Sequence, residues 1–457
     1  MTRMNSKVRV DALELAADAV QQASKRGATG AEAFVRESSH FSCVVRLGDL
    51  EKLEEAGSRS LGLRVFMGQR SASSFSSDFT PKGMEALVNE AVGLAQIVAE
   101  DPFAGLPEPN ELGALPGDLG LFPEDVLALP TQDRIDYARR AEKASREFDS
   151  QISNSEGGSF EAFIGRKILV NSLGFAGDYS QSHCSISAAP VARDANGTLR
   201  RDFWFSIARA IRKLESPEEI GRQAARRALR RLGARKIPSS RVPVIFDPLV
   251  SQALLGNVFD AVNGDTVCLN STFLSGKIGQ QVAVGDLTII DDGTLPGGLG
   301  TSPFDAEGVP PRRTVVIEKG VLKSYLLNTS SARKLGLRST GNAARVVGGN
   351  PRTAPGNLFV TPGSKSLHTI VAETASGLYV TEFLGFGVDI TTGDFSRGAI
   401  GLWIENGEFI YPVEEVTISG NLKDMLNNIS EIGDDLEFRG STAAPTLRIE
   451  GMTVAGH

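Results

Sequence analysis

The sequence predicts an α+β protein. A mixed helix and antiparallel-sheet domain covers residues 1–236, and a strand-rich, barrel-like domain covers residues 237–457. Three observations predict it. The apolar spacing of the first half switches several times between the helical period and strict alternation. Beyond about residue 237 the chain is strand-rich and punctuated by glycine to its end. A length of 457 residues, with 41% hydrophobic and 23% charged residues, suits two or three globular domains with real cores.

The elements follow in order. Asp11 and Glu14 read as a capping pair for a first helix, Leu13, Ala16, Ala17 and Val20 as its apolar stripe, and Gly27 as its stop. "EAFVRE", "SCVVRLG" and "SLGLRVFMGQRSASSFSS" then alternate. Leu61, Leu63, Val65 and Met67 share one face, and Gly68-Gln69 is a hairpin turn. Thr80-Pro81 starts a helix running to about Glu100. Pro102, Pro107, Pro109, Pro116 and Pro123 mark a connecting loop over 101–130, and a third helix spans 132–148. Residues 151–208 read as short strands with Gly and Ser turns. Ser216-Pro217 opens an arginine-rich helix that Gly233 closes, and "VPVIFDP" is a short buried strand. Asn406-Gly407 is the turn of a hairpin, and "NLKDMLNNISEIGDD" is a short helix after it.

Composition narrows the function. With 48 Lys+Arg against 55 Asp+Glu, the net charge of -7 argues against a nucleic-acid binder. The arginines at 222, 226, 227, 230 and 231 then read as a solvated helix face. Cys43, Cys184 and Cys268 are scattered and odd in number, which fits a reducing cytoplasm. "MTRMNSKVRV" has no apolar leader core, and no apolar run reaches the ~18 residues of a membrane span.

Catalytic patterns are sparse. A zinc centre takes three or more protein ligands, and the four histidines (His40, His183, His368, His457) form no helical pair. His40 and Cys43 are three apart on a strand and so face opposite ways, as do the adjacent His183 and Cys184. Ser331 and Lys334 match S-x-x-K, which reads as a helix-start serine and a surface lysine. "DDGTLPGGLGTSPFDAEG" fits no nucleotide fingerprint and reads as a flexible loop, with a functional lid as the alternative. "LLGNVFDAVNGD" (254–265) has the outline of an active-site helix, yet it contains no His, Cys or Glu.

The C-terminal stretch "GLYVTEFLGFGVDITTGDFSRGAIGLWIENGEFIYPVEEVTISGNLKDMLNNISEIGDDLE" strongly resembles the TldD/PmbA family, in its PmbA (TldE) branch. "GLRVFMGQRSASSFSSD", "NSTFLSGKIGQQVA" and the closing "PTLRIEGMTVAGH" agree, so the resemblance covers nearly the whole chain. It implies that TldD-type members are zinc metallopeptidases. Their metal helix carries H-E-x-x-x-H, with the glutamate as general base on the metal-bound water and a C-terminal cysteine completing the site. PmbA-type members are the paralogous partner, and the heterodimer degrades or trims unfolded peptides such as antibiotic leaders and antitoxins.

Anchored on Gly264-Asp265, those metal-helix positions fall on Leu255, Gly256 and Asp260, and no cysteine follows Cys268. The resemblance therefore implies a non-catalytic subunit with no zinc of its own, the zinc residing in a TldD-type partner. Isolated, such a chain is expected to form a homodimer over the shared surface. The glycine-rich "EFLGFGVDITTGDFSRG" is the candidate peptide contact: Gly385, Gly387, Asp389, Gly393, Asp394 and Arg397. Glycine there admits another backbone as an added strand, or else serves tight turns; the alternative reading of Asp394, Arg397 and Glu405 is a structural charge network. Two rival readings stand beside this one. One is a self-sufficient metallopeptidase using Asp260, Asp265 or His368; the other is a non-proteolytic regulator of the gyrase-modulator type. Neither involves nucleic acid or a membrane.

Overall fold

A computed structural model describes the backbone of residues 6–456 and the side chains of residues 12–456. His457 and the first five residues, read above for a leader, lie outside the described residues. The architecture is α+β, with a closed five-stranded barrel toward the C-terminus.

The chain opens with α1 (Ser6–Lys25), β1 (Gly30–Arg46), β2 (Asp49–Met67), β3 (Arg70–Ser76), α2 (Pro81–Ile97), α3 (Glu124–Ala128) and α4 (Thr131–Arg146). Next come β4 (Ile152–Asn171), β5 (Ala176–Arg193), β6 (Leu199–Arg201), β7 (Trp204–Ala208) and α5 (Pro217–Leu229). The seven strands form one sheet in the order β3-β2-β1-β4-β5-β6, with β7 also on β5, and every pair is antiparallel. Gly68-Gln69 turns β2 into β3, with Gly68 at φ +62°.

Several elements differ from expectation. Asp11 does not cap α1, because nothing in Ser6–Val10 breaks a helix and α1 begins a turn earlier. The residues read as short strands over 151–208 are chiefly two long ones, β4 and β5. Their glycines serve close packing, where turns had been expected: a Cβ on Gly158 would come within 3.0 Å of Ala138 O on α4. Gly221 of α5 meets Ala141 O of α4 in the same way. The proline-rich loop is strapped down. Gly113 N donates to Gly308 O and Leu115 N to Pro303 O, while Leu119 O accepts from Gly297 N.

The arginine face of α5 is only partly solvated. Arg222 and Arg226 are exposed and pair with Glu219. Arg227 is buried between Asp202 (3.2 Å) and Asp247 (3.6 Å), and Arg231 reaches Glu382 at 2.9 Å. Arg230 is also withdrawn from solvent, because the helix lies against the second half of the chain.

The helices cover one sheet face only. Ala33, Val35, Leu61, Leu63, Ile168 and Val170 meet α1 and α2, and Cys43, Phe160, Ala162 and Cys184 pack on the α4 side. By strand alternation Phe34, Arg36, His40, Phe163, Lys167, Tyr179 and His183 take the other face.

The second half begins with β8 (Ser240–Phe246), α6 (Pro248–Val262), α7 (Gly264–Cys268), β9 (Ile289–Asp292), β10 (Arg313–Glu318) and β11 (Val321–Leu322). It continues through α8 (Thr329–Leu335), β12 (Ala343–Ala344), β13 (Arg352–Thr353), β14 (Leu358–Val360), α9 (Leu367–Ala372) and β15 (Ser376–Leu384). It ends with β16 (Asp394–Glu405), β17 (Glu408–Asn421), α10 (Leu422–Asn427), β18 (Ile429–Ile432), β19 (Thr442–Ala443) and β20 (Leu447–Ala455). The barrel order is β17-β16-β15-β8-β20, closed by pairing of β17 with β20, and β18 adds outside β20. Asn406 and Gly407, at φ +53° and +81°, make the expected turn between β16 and β17. A smaller sheet, β11-β10-β9-β14-β19, and the β12–β13 pair complete the half.

Gly221 gives the sharpest test of this packing. Gly221→Ala is expected to destabilise the protein by about 2 kcal/mol or more, because α4 and α5 must separate. Gly93→Ala, on open space in α2, is expected to be neutral or stabilising. Urea unfolding of both variants checks the contrast.

Candidate functional site

Helix α6 is built on Asp247. Its carboxylate caps the helix at Leu249 N (3.1 Å), accepts Tyr379 Oη (2.8 Å) and meets Arg227 of α5. Leu254, Leu255 and Val258 enter the apolar cluster that also holds Val244, Phe246, Leu378 and Val380 of the barrel. Asp260 is exposed and Gly256 opens onto free space, with nothing within 4 Å of a built Cβ. At 100° per residue, positions 255 and 260 lie about 140° apart around the helix. Leu255 and Asp260 therefore do not converge.

The neighbouring polar residues have structural work. Asn263 caps α7 through Asp265 N at 2.9 Å. Asp265 accepts from Asn328 Nδ2 (3.1 Å) and Thr353 N (2.8 Å), stitching α7 to the start of α8 and to β13. Gly264 lacks a side chain because a Cβ there would collide with Leu327 and Ser331. His368 is exposed on α9, which packs with Ile245 and Tyr379, the strand positions facing away from the α6 cluster. Ser331 is a buried capping residue of α8, bonded to Asn328.

The donor set does not fit a zinc ion. Leu255 has no donor atom, Gly256 has no side chain, and Asp260 stands alone. Among the described residues no three His, Cys, Asp or Glu side chains come together at metal-binding distance.

The candidate peptide loop joins β15 to β16. Phe386 at its tip is fully exposed, at 103%, and Leu384 beside it is 42% exposed. Gly385 sits at φ +69° and its carbonyl accepts Arg397 Nη2 at 2.6 Å, while the guanidinium lies over Phe383. Gly387 O accepts from Ser396 N, so the loop's main chain is already paired there. Asp389 closes a turn to Gly393 and Asp394. Asp394 is exposed and accepts from Asn421 and Thr392, which holds its carboxyl below the ordinary range. Glu405 instead takes Trp403 Nε1. Asp394, Arg397 and Glu405 thus have separate partners and form no charge network. β15 lies between β16 and β8, and β16 between β15 and β17, so neither offers an edge for an added strand.

Sequence reasoning missed a partly open polar cavity of about 250 Å³ between the uncovered sheet face and the loops of the second half. Its walls include Lys167, Tyr179, Asp291, Asp305, Asn342 and Arg345, and no residue of α6. The glycine-rich loop read as flexible is one of these walls. Asp305 inside it accepts from Glu307 N (2.8 Å), Val309 N (3.0 Å) and Ala343 N (3.0 Å). Burial raises the Asp305 carboxyl to about 7, with Glu307 adding to the rise. The only signal in the sequence was the acidic residues of that loop, whose partners lie far along the chain.

Burial also raises the Asp291 carboxyl to about 6. The native chain thus keeps a proton that the unfolded chain has released, and stability falls as pH rises from the ordinary carboxylate range through about 6. Asp291→Asn keeps an acceptor for Asn342 and removes this linkage. The variant is expected to exceed the parent at pH 7.5 by on the order of 1–3 kcal/mol, the gap closing near pH 4. Urea unfolding at both pH values checks it.

Known proteins match this chain along most of its length. Family models for PmbA/TldA metallopeptidases match as domain 1 over residues 31–95, the central domain over 124–232 and the C-terminal domain over 239–456. The metalloprotease PmbA of Escherichia coli O157:H7 is 38% identical over 97% of this chain and 96% of its own. A TldD homolog of Haemophilus influenzae is 24% identical over 95% of this chain and 94% of its own. Among solved structures, a candidate modulator of DNA gyrase from Bacteroides thetaiotaomicron superposes with a TM-score of 0.90 at 28% identity, covering 97% of this chain and 98% of its own. TldE from Thermococcus kodakarensis, at 22% identity, shares the fold with a TM-score of 0.87 over 97% of this chain and 100% of its own. Family models along most of the chain, and a relative of this identity and coverage, establish that the chain belongs to the PmbA/TldD metallopeptidase family.

Proposed function

We propose that this chain is the non-catalytic subunit of a paired metallopeptidase acting on unfolded peptides. Its work is to complete the enclosure while a TldD-type partner holds the zinc. One observation carries the reading: the helix at the family's metal position points Leu255 into the core and offers Asp260 as its single carboxylate. Haemophilus influenzae has both a PmbA homolog and a TldD homolog, which supports paired subunits. The donors a self-sufficient site needs are dispersed: Asp265 is committed to Asn328 and Thr353, and His368 stands on the far side of the barrel wall.

The β15–β16 loop is then the peptide- or partner-facing rim, carrying Gly385, Gly387, Asp389, Gly393, Asp394 and Arg397. Its contacts come from the projecting tip instead of an added strand. No helix among the described residues is long and apolar enough to cross a membrane.

The decisive assay offers a fluorogenic unfolded peptide to the purified chain with and without a TldD-type subunit. Cleavage is expected only from the mixture, at least 100-fold above the chain alone. Equal turnover by the chain alone would defeat the proposal. Phe386→Ser is expected to lower turnover of the mixture about tenfold while leaving the unfolding midpoint of the isolated chain unchanged. Full turnover would remove the rim from the account.

A further inference from the structure

We propose that the cavity between the sheet and the glycine-rich loop is a second ligand site, taking a small zwitterion of free amino-acid or dipeptide size. Its carboxylate would rest on Lys167 and its ammonium on Asp291. This goes beyond the proposed function and does not depend on it, since no partner subunit or metal enters the argument.

The cavity is lined by groups of both charge signs. One is Lys167, on the sheet face that the helices leave bare. No carboxylate or other hydrogen-bonding partner reaches its ammonium among the described residues, and its nearest aromatic contact is the Tyr179 ring at 5.7 Å. Arg36 and Arg209 lie close enough to oppose its charge. A buried ammonium facing two guanidiniums is unfavourable unless an anion joins it. Burial and those two arginines draw the lysine down to about 8, so it keeps most of its charge at neutral pH.

Another lining group is Asp291, 1% exposed. Its Oδ2 accepts Asn342 Nδ2 at 2.7 Å, but Oδ1 has no partner among the described residues. An ammonium would supply the missing donor and the missing charge together. Arg345 lines the same cavity with its side chain 3% exposed. It spends Nη1 on Glu32 and leaves Nε and Nη2 without partners. Unpaired polar atoms on this scale are uncommon inside proteins.

Size and shape agree. About 250 Å³ falls just under the ~300–1,000 Å³ of ordinary ligand pockets, which suits a compact molecule. Gly293, Gly300, Gly341 and Gly356 line it, which lets its walls pack closely on Pro310, Pro311 and one another. Amino acids and dipeptides are also what a peptidase releases, which gives the cavity a source of ligand.

Titration calorimetry on the full chain with L-alanyl-L-alanine tests the assignment, beside its N-acetyl form and its C-terminal amide. Saturable binding at one site per chain is expected, weakened tenfold or more by either block. Lys167→Met should erase the discrimination against the amide, and Asp291→Asn that against the acetyl form. Absence of saturable heat with the parent chain would overturn the proposal. So would equal binding of the blocked forms, or discrimination that survives both substitutions. The blocked ligands keep the test valid should either variant fold poorly.

Discussion

A seven-stranded sheet with helices on one face must have its other face covered, and much of this structure answers that requirement. The apolar face is filled by α1, α2 and α4. The opposite face carries Arg36, His40, Phe163, Lys167, Tyr179 and His183, too polar to be sealed by an ordinary core. Loops of the second half come down on part of it. Phe304 packs on Tyr179 at 5.1 Å and Val347 on Phe34, and they land beside Gly177 and Gly62, where a side chain would block the approach. A polar face under a polar cover leaves a cavity, with charged groups at its rim and walls.

Arginine holds the two halves together. Arg209 donates to the carbonyls of Gly298 and Leu299, Arg345 to Glu32, Arg231 to Glu382, Arg439 to Glu215, and Arg200 to Glu414. The planar guanidinium serves several acceptors at once, which suits a seam between irregular loops. Arg227 is buried between Asp202 and Asp247, and Asp247 also caps α6. Removing one member of such a buried set typically costs about 3–5 kcal/mol, since its partners stay buried without their counter-charge. Helix α6 thus depends on the seam for its placement, whatever chemistry it carries.

Local signals were legible in the sequence and distant pairings were not. Ser216-Pro217, Thr80-Pro81, Gly68-Gln69 and Asn406-Gly407 mark caps and turns because their geometry is decided within four residues. The lack of donors at Leu255 and Gly256 was equally plain. The glycines of β4 misled, since a glycine kept for contact with α4 looks in sequence like one kept for a turn. Arg227 looked like its solvated neighbours because its carboxylates come from residues 202 and 247. The cavity was invisible for the same reason: Lys167, Asp291 and Arg345 meet only in three dimensions.

The account rests on the claim that this chain contributes no metal ligand. Zinc quantified by mass spectrometry under native conditions, on the isolated chain and on its complex with a TldD-type subunit, addresses that claim directly. The account predicts no stoichiometric zinc on the isolated chain and one zinc per heterodimer, unchanged when Asp260 is replaced by alanine. One zinc per isolated chain, lost with Asp260→Ala, would contradict it.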